Sequence, residues 1–485
     1  MTLTTLVIGV AIAAAIITGM MMATKQDMPN RLLSYFQNFC GALFIFSGAV
    51  KVIDPLGTAY KMEQYFQQFE STFSETWLSF IAPIFPVLTD VSVAFSVIVI
   101  VFEIVLGIML IIGDRHRLTA WLFFLLVVFF TFLTGFTYLT GYVPQGVNFF
   151  EISKWGPFIE SNMKVTDCGC FGDFLKLKPK VSFFKDIFLL FPATWFLLRS
   201  KQMHELFMPK IRNYILVGST VVLTLFGLYN FVYDLPIVDF RPFHNGADVR
   251  GEKQRQAELV ANAPITFIYT NADSTEFREF GMNETTEAAE WGTYYDRVDT
   301  KVEGTTKISD FVGIMGKTVN RTTYLMYDTG DGEPYLELAP EDTADGGIEE
   351  GWTFVKEEVS EQVIEGEVTE TILNNVNPNF MIVCHDLHKT NKEAFVLKVA
   401  NLAKEAEAKG IEIYAVVAKA SEEEIKEFQE ATGVSFPFYT ADDVLLKTIV
   451  RSNPGIVLWK DGTILQKWHH RHLPSLETIE AEFLK

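Results

Sequence analysis

Cysteine is scarce in this chain: four residues in 485, at positions 40, 168, 170 and 384. So few thiols exclude a disulfide-stapled scaffold. A basic excess is also missing. The formal net charge is −20, and most of the surplus acid follows Pro236. Nucleic-acid binding needs a basic footprint and is excluded as a role; the acidity reads as solvation. Signal-peptide features are scarce too. No basic residue precedes the first apolar run, and Met20-Met21-Met22-Ala23 is a poor small-residue cleavage site, so that run reads as a membrane helix. There is no inverted repeat and no pair of broken helices, which leaves a transporter without support.

What is present is unevenly spread. The chain is too long for one compact domain. Apolar residues make up 49% of it and cluster in blocks before Pro236, where most of the Phe residues lie. About 20 apolar residues suffice for a helix to cross the hydrocarbon core. Candidate spans fall at roughly 2–23, 32–53, 80–112, 118–143, 183–199 and 213–234. The third is long enough to hold a re-entrant or interfacial lead-in, broken by Pro83 and Pro86. The fifth is short and carries Lys185, Asp186 and Pro192. The lipid bilayer is therefore the first expected partner.

Basic residues in short loops set orientation. Lys25 and Arg31, then Arg115 and Arg117, then Arg199, Lys201, Lys210 and Arg212 occupy alternate loops. That side is assigned as cytoplasmic. The N-terminus, the 54–79 and 144–182 loops and everything after the sixth span then lie outside. The lysines of the 144–182 loop run against this assignment, but that loop is longer and also carries acids.

Glu103 sits in an apolar helix, as Val101-Phe102-Glu103-Ile104-Val105. An ionisable group there needs an interior partner or water. Lys51 and Asp54, at the end of the second span, are candidates. Two roles stay open: a proton or quinone-headgroup contact, and a structural hydrogen bond that locks the bundle.

Asp167-Cys168-Gly169-Cys170-Phe171-Gly172-Asp173 lies in the long outer loop. If that side is oxidising, its thiols tend to pair. Gly169 permits the sharp bend that a pair one residue apart requires. A strained, exposed disulfide is labile and exchanges. A loop staple is the alternative, but so short a ring gains little from loop closure. A metal site lacks ligands, since no His or further Cys stands nearby.

Residues 39–55, from Phe39-Cys40-Gly41 through Gly48-Ala49-Val50-Lys51 to Asp54-Pro55, resemble the first helix of DoxX-like membrane proteins. Phe102 to Gly113 resembles their glutamate-bearing helix, and Cys168-Gly169-Cys170-Phe171-Gly172 resembles the MauE-like branch. The resemblance covers about 30–200. It implies a four-helix bundle with extra helices and a role in periplasmic disulfide maturation or thiol–quinone electron transfer. By the same resemblance Cys168 and Cys170 are the exchanging pair, Glu103 and Lys51 support the bundle site, and a quinone is the one cofactor suggested.

After Pro236 the chain reads as soluble. Residues 262–375 alternate weakly between apolar and polar, with turn clusters such as Asp328-Thr329-Gly330-Asp331-Gly332, and predict β-hairpins. Phe380–Cys384 reads as a buried strand, Lys392–Lys409 as a helix ended by Gly410, and Ile411–Val417 as a strand. Ser421-Glu422-Glu423-Glu424 is a capping box opening a helix that ends near Gly433. A hairpin turns over Lys460-Asp461-Gly462, and a last helix covers 475–484.

This order resembles thioredoxin-like domains over about 378–485, with Pro454 at the position of their cis-proline loop. The first-strand loop, His385-Asp386-Leu387-His388-Lys389, holds no cysteine, so ordinary dithiol exchange is excluded and binding is the expected role. Cys384 reads as a small buried hydrophobe. His385, His388, His469, His470 and His472 converge in such a fold; exposed polar loop residues are the favoured reading, and a metal site the lesser one.

The expected organisation is an N-terminal membrane helix (1–30), a DoxX/MauE-like bundle (31–200), a last span and linker (201–250), a β-rich extracytoplasmic region (251–377) and an α/β thioredoxin-like domain without CxxC (378–485). The leading function is a thiol-redox protein of the bacterial inner membrane with its C-terminal domain in the periplasm. There, Cys168 and Cys170 exchange electrons with a quinone or a partner thiol, and the C-terminal domain docks a protein partner. The alternative is a non-catalytic scaffold or accessory subunit of an envelope protein-export or assembly complex.

Overall fold

The structure is a computed structural model. It describes residues 2–165, 168–262, 265–271, 276–299, 306–328, 336–338 and 353–484. Two compact units emerge. The first joins residues 1–241 with 258–304, and the second joins 242–257 with 305–485.

Six helices of the first unit are long and apolar enough to cross a membrane. They are α1 (Leu3–Ala23), α2 (Arg31–Ile53), α5 (Ser92–Ile112), α6 (His116–Leu139), α7 (Pro179–Leu198) and α8 (Pro209–Leu228). Each is close to the length that a hydrocarbon core of about 30 Å demands. The chain is a membrane protein, and its apolar outer faces contact lipid. On α8, Tyr214, Val217, Val221, Val222 and Leu225 are all exposed, as a lipid-facing helix requires.

Two further helices complete the bundle, and the first corrects the sequence reading. The supposed 54–79 loop holds α3 (Pro55–Ser74), with Asp54 accepting from the Gly57 amide as its N-cap and Pro55 at the first helical position. Asp54 is therefore occupied at a helix start. The 80–112 segment is broken at its start, as its two prolines suggest. A single turn at Ser79–Ile81 and the short α4 (Ile84–Asp90) precede α5, because Pro83 and Pro86 interrupt the backbone ladder.

The α2–α5 contact fixes the interior. A Cβ on Gly41 would come within 2.8 Å of the Gly107 carbonyl oxygen, and one on Gly107 within 2.8 Å of Gly41's. Only hydrogen at both positions lets the two backbones approach so closely. The same unit also contains a three-stranded antiparallel sheet of β1 (Ile265–Thr270), β2 (Phe277–Gly281) and β3 (Thr293–Asp299), in the order β2-β1-β3.

The second unit is built on one mixed sheet. Its strands are β4 (Met315–Asp328), β5 (Leu336–Leu338), β6 (Thr353–Glu367), β7 (Asn379–Cys384), β8 (Glu412–Val417), β9 (Phe438–Thr440), β10 (Gly455–Lys460) and β11 (Thr463–His469). The order is β11-β10-β7-β8-β9-β4-β5, with β6 paired to β4. β7, β8 and β9 run parallel; β10 and β11 are antiparallel. Every residue of β7 is buried, the mark of a central strand covered on both faces.

Local chemistry punctuates this unit as expected. Ser421 and Glu424 form a reciprocal capping box, and Gly433 closes that helix in the left-handed region. The β10–β11 hairpin turns over Asp461 and Gly462, at φ of 51° and 71°, which suits a two-residue loop. The Asn453–Pro454 peptide is cis. Strand β9 and the helix Asp443–Ile449 were not anticipated. The long β4–β6 hairpin was expected in a separate region, yet it joins the main sheet through Met315 opposite Thr440. The turn cluster at 329–332 lies outside the described residues.

Candidate functional site

Glu103 lies on the inner face of α5, about one turn before Gly107. Lys51 lies near the C-terminal end of α2. The close helix approach brings Lys51 Nζ to 2.5 Å from Glu103 Oε2, with side-chain exposures of 6% and 2%. The interior partner demanded by a buried carboxylate is therefore present.

A second ion pair shares the same cavity. Lys185 Nζ lies 2.7 Å from Asp186 Oδ1 on α7, and Asp186 Oδ2 also accepts from the Thr134 hydroxyl of α6 at 3.0 Å. Sequence reasoning missed this pair. Two adjacent ionisable residues in an apolar helix were the signal, and they had been counted only against the helix as a span.

Cys168, Gly169 and Cys170 complete the lining of the cavity, together with Lys51, Glu103, Lys185 and Asp186. Its non-atom space, mouth included, is about 830 Å³. Gly169 has φ of 61°, a left-handed conformation that a side chain would strain. The loop then turns back on itself, with the Gly172 amide donating to the Gly169 carbonyl at 3.1 Å. Ser47 of α2 fastens it to the bundle by donating to the Cys170 carbonyl at 2.8 Å. Neither cysteine is joined in a disulfide. Burial pushes the Cys170 thiol up; the Lys185 and Lys51 charges pull it the other way, and Asp186 adds to the rise.

This arrangement can do two things. It can hold a thiol pair at the edge of a low-dielectric cavity, and it can offer ammonium donors backed by carboxylates. Pairing each charge keeps the cost of burial tolerable.

The second unit's candidate groups do not form a comparable site. Cys384 ends β7, fully buried, and its thiol is pushed up to about 12 by burial. Among the described residues no group of three metal-ligating side chains is placed to hold an ion. His388 faces Glu424 at 3.4 Å, His469 Nδ1 accepts from the Arg471 amide at 3.2 Å, and His470 Nδ1 meets the Ser452 hydroxyl at 2.9 Å. Burial pushes His385 down to about 4, with Lys447 adding to the effect.

Residues 29–145 match the family model described as methylamine utilisation protein MauE. The match supports a MauE-like membrane protein. It spans Lys51 and Glu103 and stops before the CGC loop and α7. No curated protein matches the chain.

Proposed function

We propose that this chain is a thiol-redox protein of the bacterial inner membrane. Cys168 and Cys170 pass electrons between a partner thiol and a quinone. In one turnover the two thiols lose two electrons and two protons and join as a disulfide, while a quinone gains both and becomes a quinol. A partner dithiol then reduces the disulfide by exchange, or the cycle runs in reverse. The observation that carries this reading is the shared cavity, where both cysteines meet two buried lysine–carboxylate pairs. Such pairs can polarise carbonyl oxygens and relay protons. The resemblance of the bundle to MauE-like and DoxX-like proteins supports the same direction.

The C-terminal unit is read as a thioredoxin-like domain that docks the partner on the periplasmic side. Its parallel β7–β8 pair, antiparallel β10–β11 hairpin and cis Pro454 support that reading. Placement outside the cytoplasm follows from the alternation of basic loops.

A second reading has one specific observation in its favour. The soluble unit's only cysteine, Cys384, is buried in a strand, which fits a scaffold or accessory subunit of an envelope assembly. Stoichiometry separates the two. The pre-reduced full chain, mixed with decylubiquinone, is expected to form one quinol per molecule and lose two alkylatable thiols. Absence of both changes removes the quinone route.

A further inference from the structure

The end of the bundle where α5 turns into α6 carries more positive charge than its own acids neutralise. Arg115 and Arg117 stand at the start of α6, and Arg199, Lys201, Lys210 and Arg212 run from the end of α7 into the first turn of α8. Against these six, the same two stretches hold only Asp114 and Glu205, and both acids are already engaged. Asp114 is buried, 3.6 Å from Arg115 and 3.7 Å from the buried Arg212. Glu205 meets Arg212 at 3.0 Å and His116 at 3.2 Å. Among the described residues Arg117 and Lys201 have no side-chain partner, and both are exposed.

Arg115, Arg117 and Lys201 meet around one pocket, with His116, Leu118 and Ser200 completing its wall. Its non-atom space, mouth included, is about 670 Å³. Three like charges around one recess repel each other, and an anion between them relieves the repulsion. A phosphate oxygen pair suits an arginine fork, and the Ser200 hydroxyl offers a further donor.

The neighbouring surface says where that phosphate comes from. Leu118 lines the pocket and opens an apolar stripe along one face of α6: Leu118, Trp121, Leu125 and Val128 are 45%, 56%, 55% and 40% exposed. Their spacing keeps them on one side of the helix. From Leu118 to Val128 the stripe is about 15 Å long, the depth of one hydrocarbon leaflet. Trp121, one turn from the charges, stands where an aromatic ring favours the headgroup level. A dissolved phosphate would use the pocket alone, whereas a phospholipid uses pocket and stripe together.

We infer that the pocket seats the phosphate head of an anionic phospholipid, held by Arg115, Arg117 and Lys201, with an acyl chain along the Leu118–Val128 face of α6. The site is distinct from the cysteine cavity and does not depend on the redox reading.

The test titrates the full chain, in a neutral detergent, with dioleoylphosphatidylglycerol and counts bound lipid by native mass spectrometry. One such lipid is expected to bind at least about tenfold more tightly than dioleoylphosphatidylcholine, whose head has no net charge. Arg117→Gln/Lys201→Gln is expected to remove that preference. Both residues are exposed, so the bundle is expected to fold. Lys25→Gln/Arg31→Gln takes the same charge from another short basic loop and is expected to keep the preference. Equal binding of the two lipids by the parent overturns the inference, as does a preference retained in Arg117→Gln/Lys201→Gln. Equal loss in both double variants reduces the effect to general surface charge and also overturns it. Inorganic phosphate is the last probe: binding as tight as that of the lipid, lost in Arg117→Gln/Lys201→Gln, would make this a site for dissolved phosphate and end the lipid assignment.

Discussion

Lys51 Nζ and Glu103 Oε2 meet at 2.5 Å inside the bundle, joining two helices whose backbones touch through Gly41 and Gly107. Removing one partner strands a charge in a low-dielectric interior. Glu103→Leu is expected to cost about 3–5 kcal/mol of stability, whereas the paired Lys51→Met/Glu103→Leu change is expected to be near neutral. Thermal unfolding in detergent measures both. An equal loss in the single and double variants would place the cost in packing instead of charge.

The four cysteines are expected to sort by burial. Cys40 and Cys384 are fully buried and should resist alkylation until the protein unfolds. Cys168 and Cys170 should react in the native, reduced protein and should join to each other under mild oxidation. Peptide mass mapping without reductant reads this out. A stable Cys170–Cys384 link would replace the exchanging pair with a structural tether.

His385 gives the second unit a pH dependence of known sign. Its folded value is lowered to about 4 by burial, against an ordinary value near 6.5. The unfolded chain therefore binds more protons between those limits, so stability is present above about pH 6.5 and is lost as pH falls toward 4. The loss amounts to roughly 3 kcal/mol. His385→Gln should flatten that part of the curve. An unchanged slope in denaturant titrations at pH 4.5 and 7 would assign the effect to other groups.

The membrane half was largely legible because hydropathy and loop charge act over 20 residues at a time. Five of the six spans were outlined to within a few residues, and Lys51 was correctly named as a possible partner for Glu103. What stayed hidden depends on three-dimensional juxtaposition. Helix α3 has one apolar face and polar residues enough to pass for a loop. Lys185 and Asp186 looked like flaws in a span until the fold put them beside Cys170. In the second unit, capping residues and the Asp461-Gly462 turn were readable because their chemistry is local. The inner strand β9 has three residues, too few for a period to register.

Sidedness is open to direct test. With N-terminus and C-terminal unit on the same side, Glu423→Cys in intact spheroplasts should react with a membrane-impermeant maleimide. Labelling only after lysis would reverse the assigned orientation.

The central claim, that Cys168 and Cys170 do chemistry, is tested most directly by rescue of a deletion strain. The Cys168→Ser/Cys170→Ser chain is compared with the parent at matched membrane abundance. The ring they close constrains few residues and contributes little to folding, so abundance is expected to hold. The redox account predicts loss of rescue at normal abundance. Full rescue by the double variant would contradict it and leave the scaffold reading in its place.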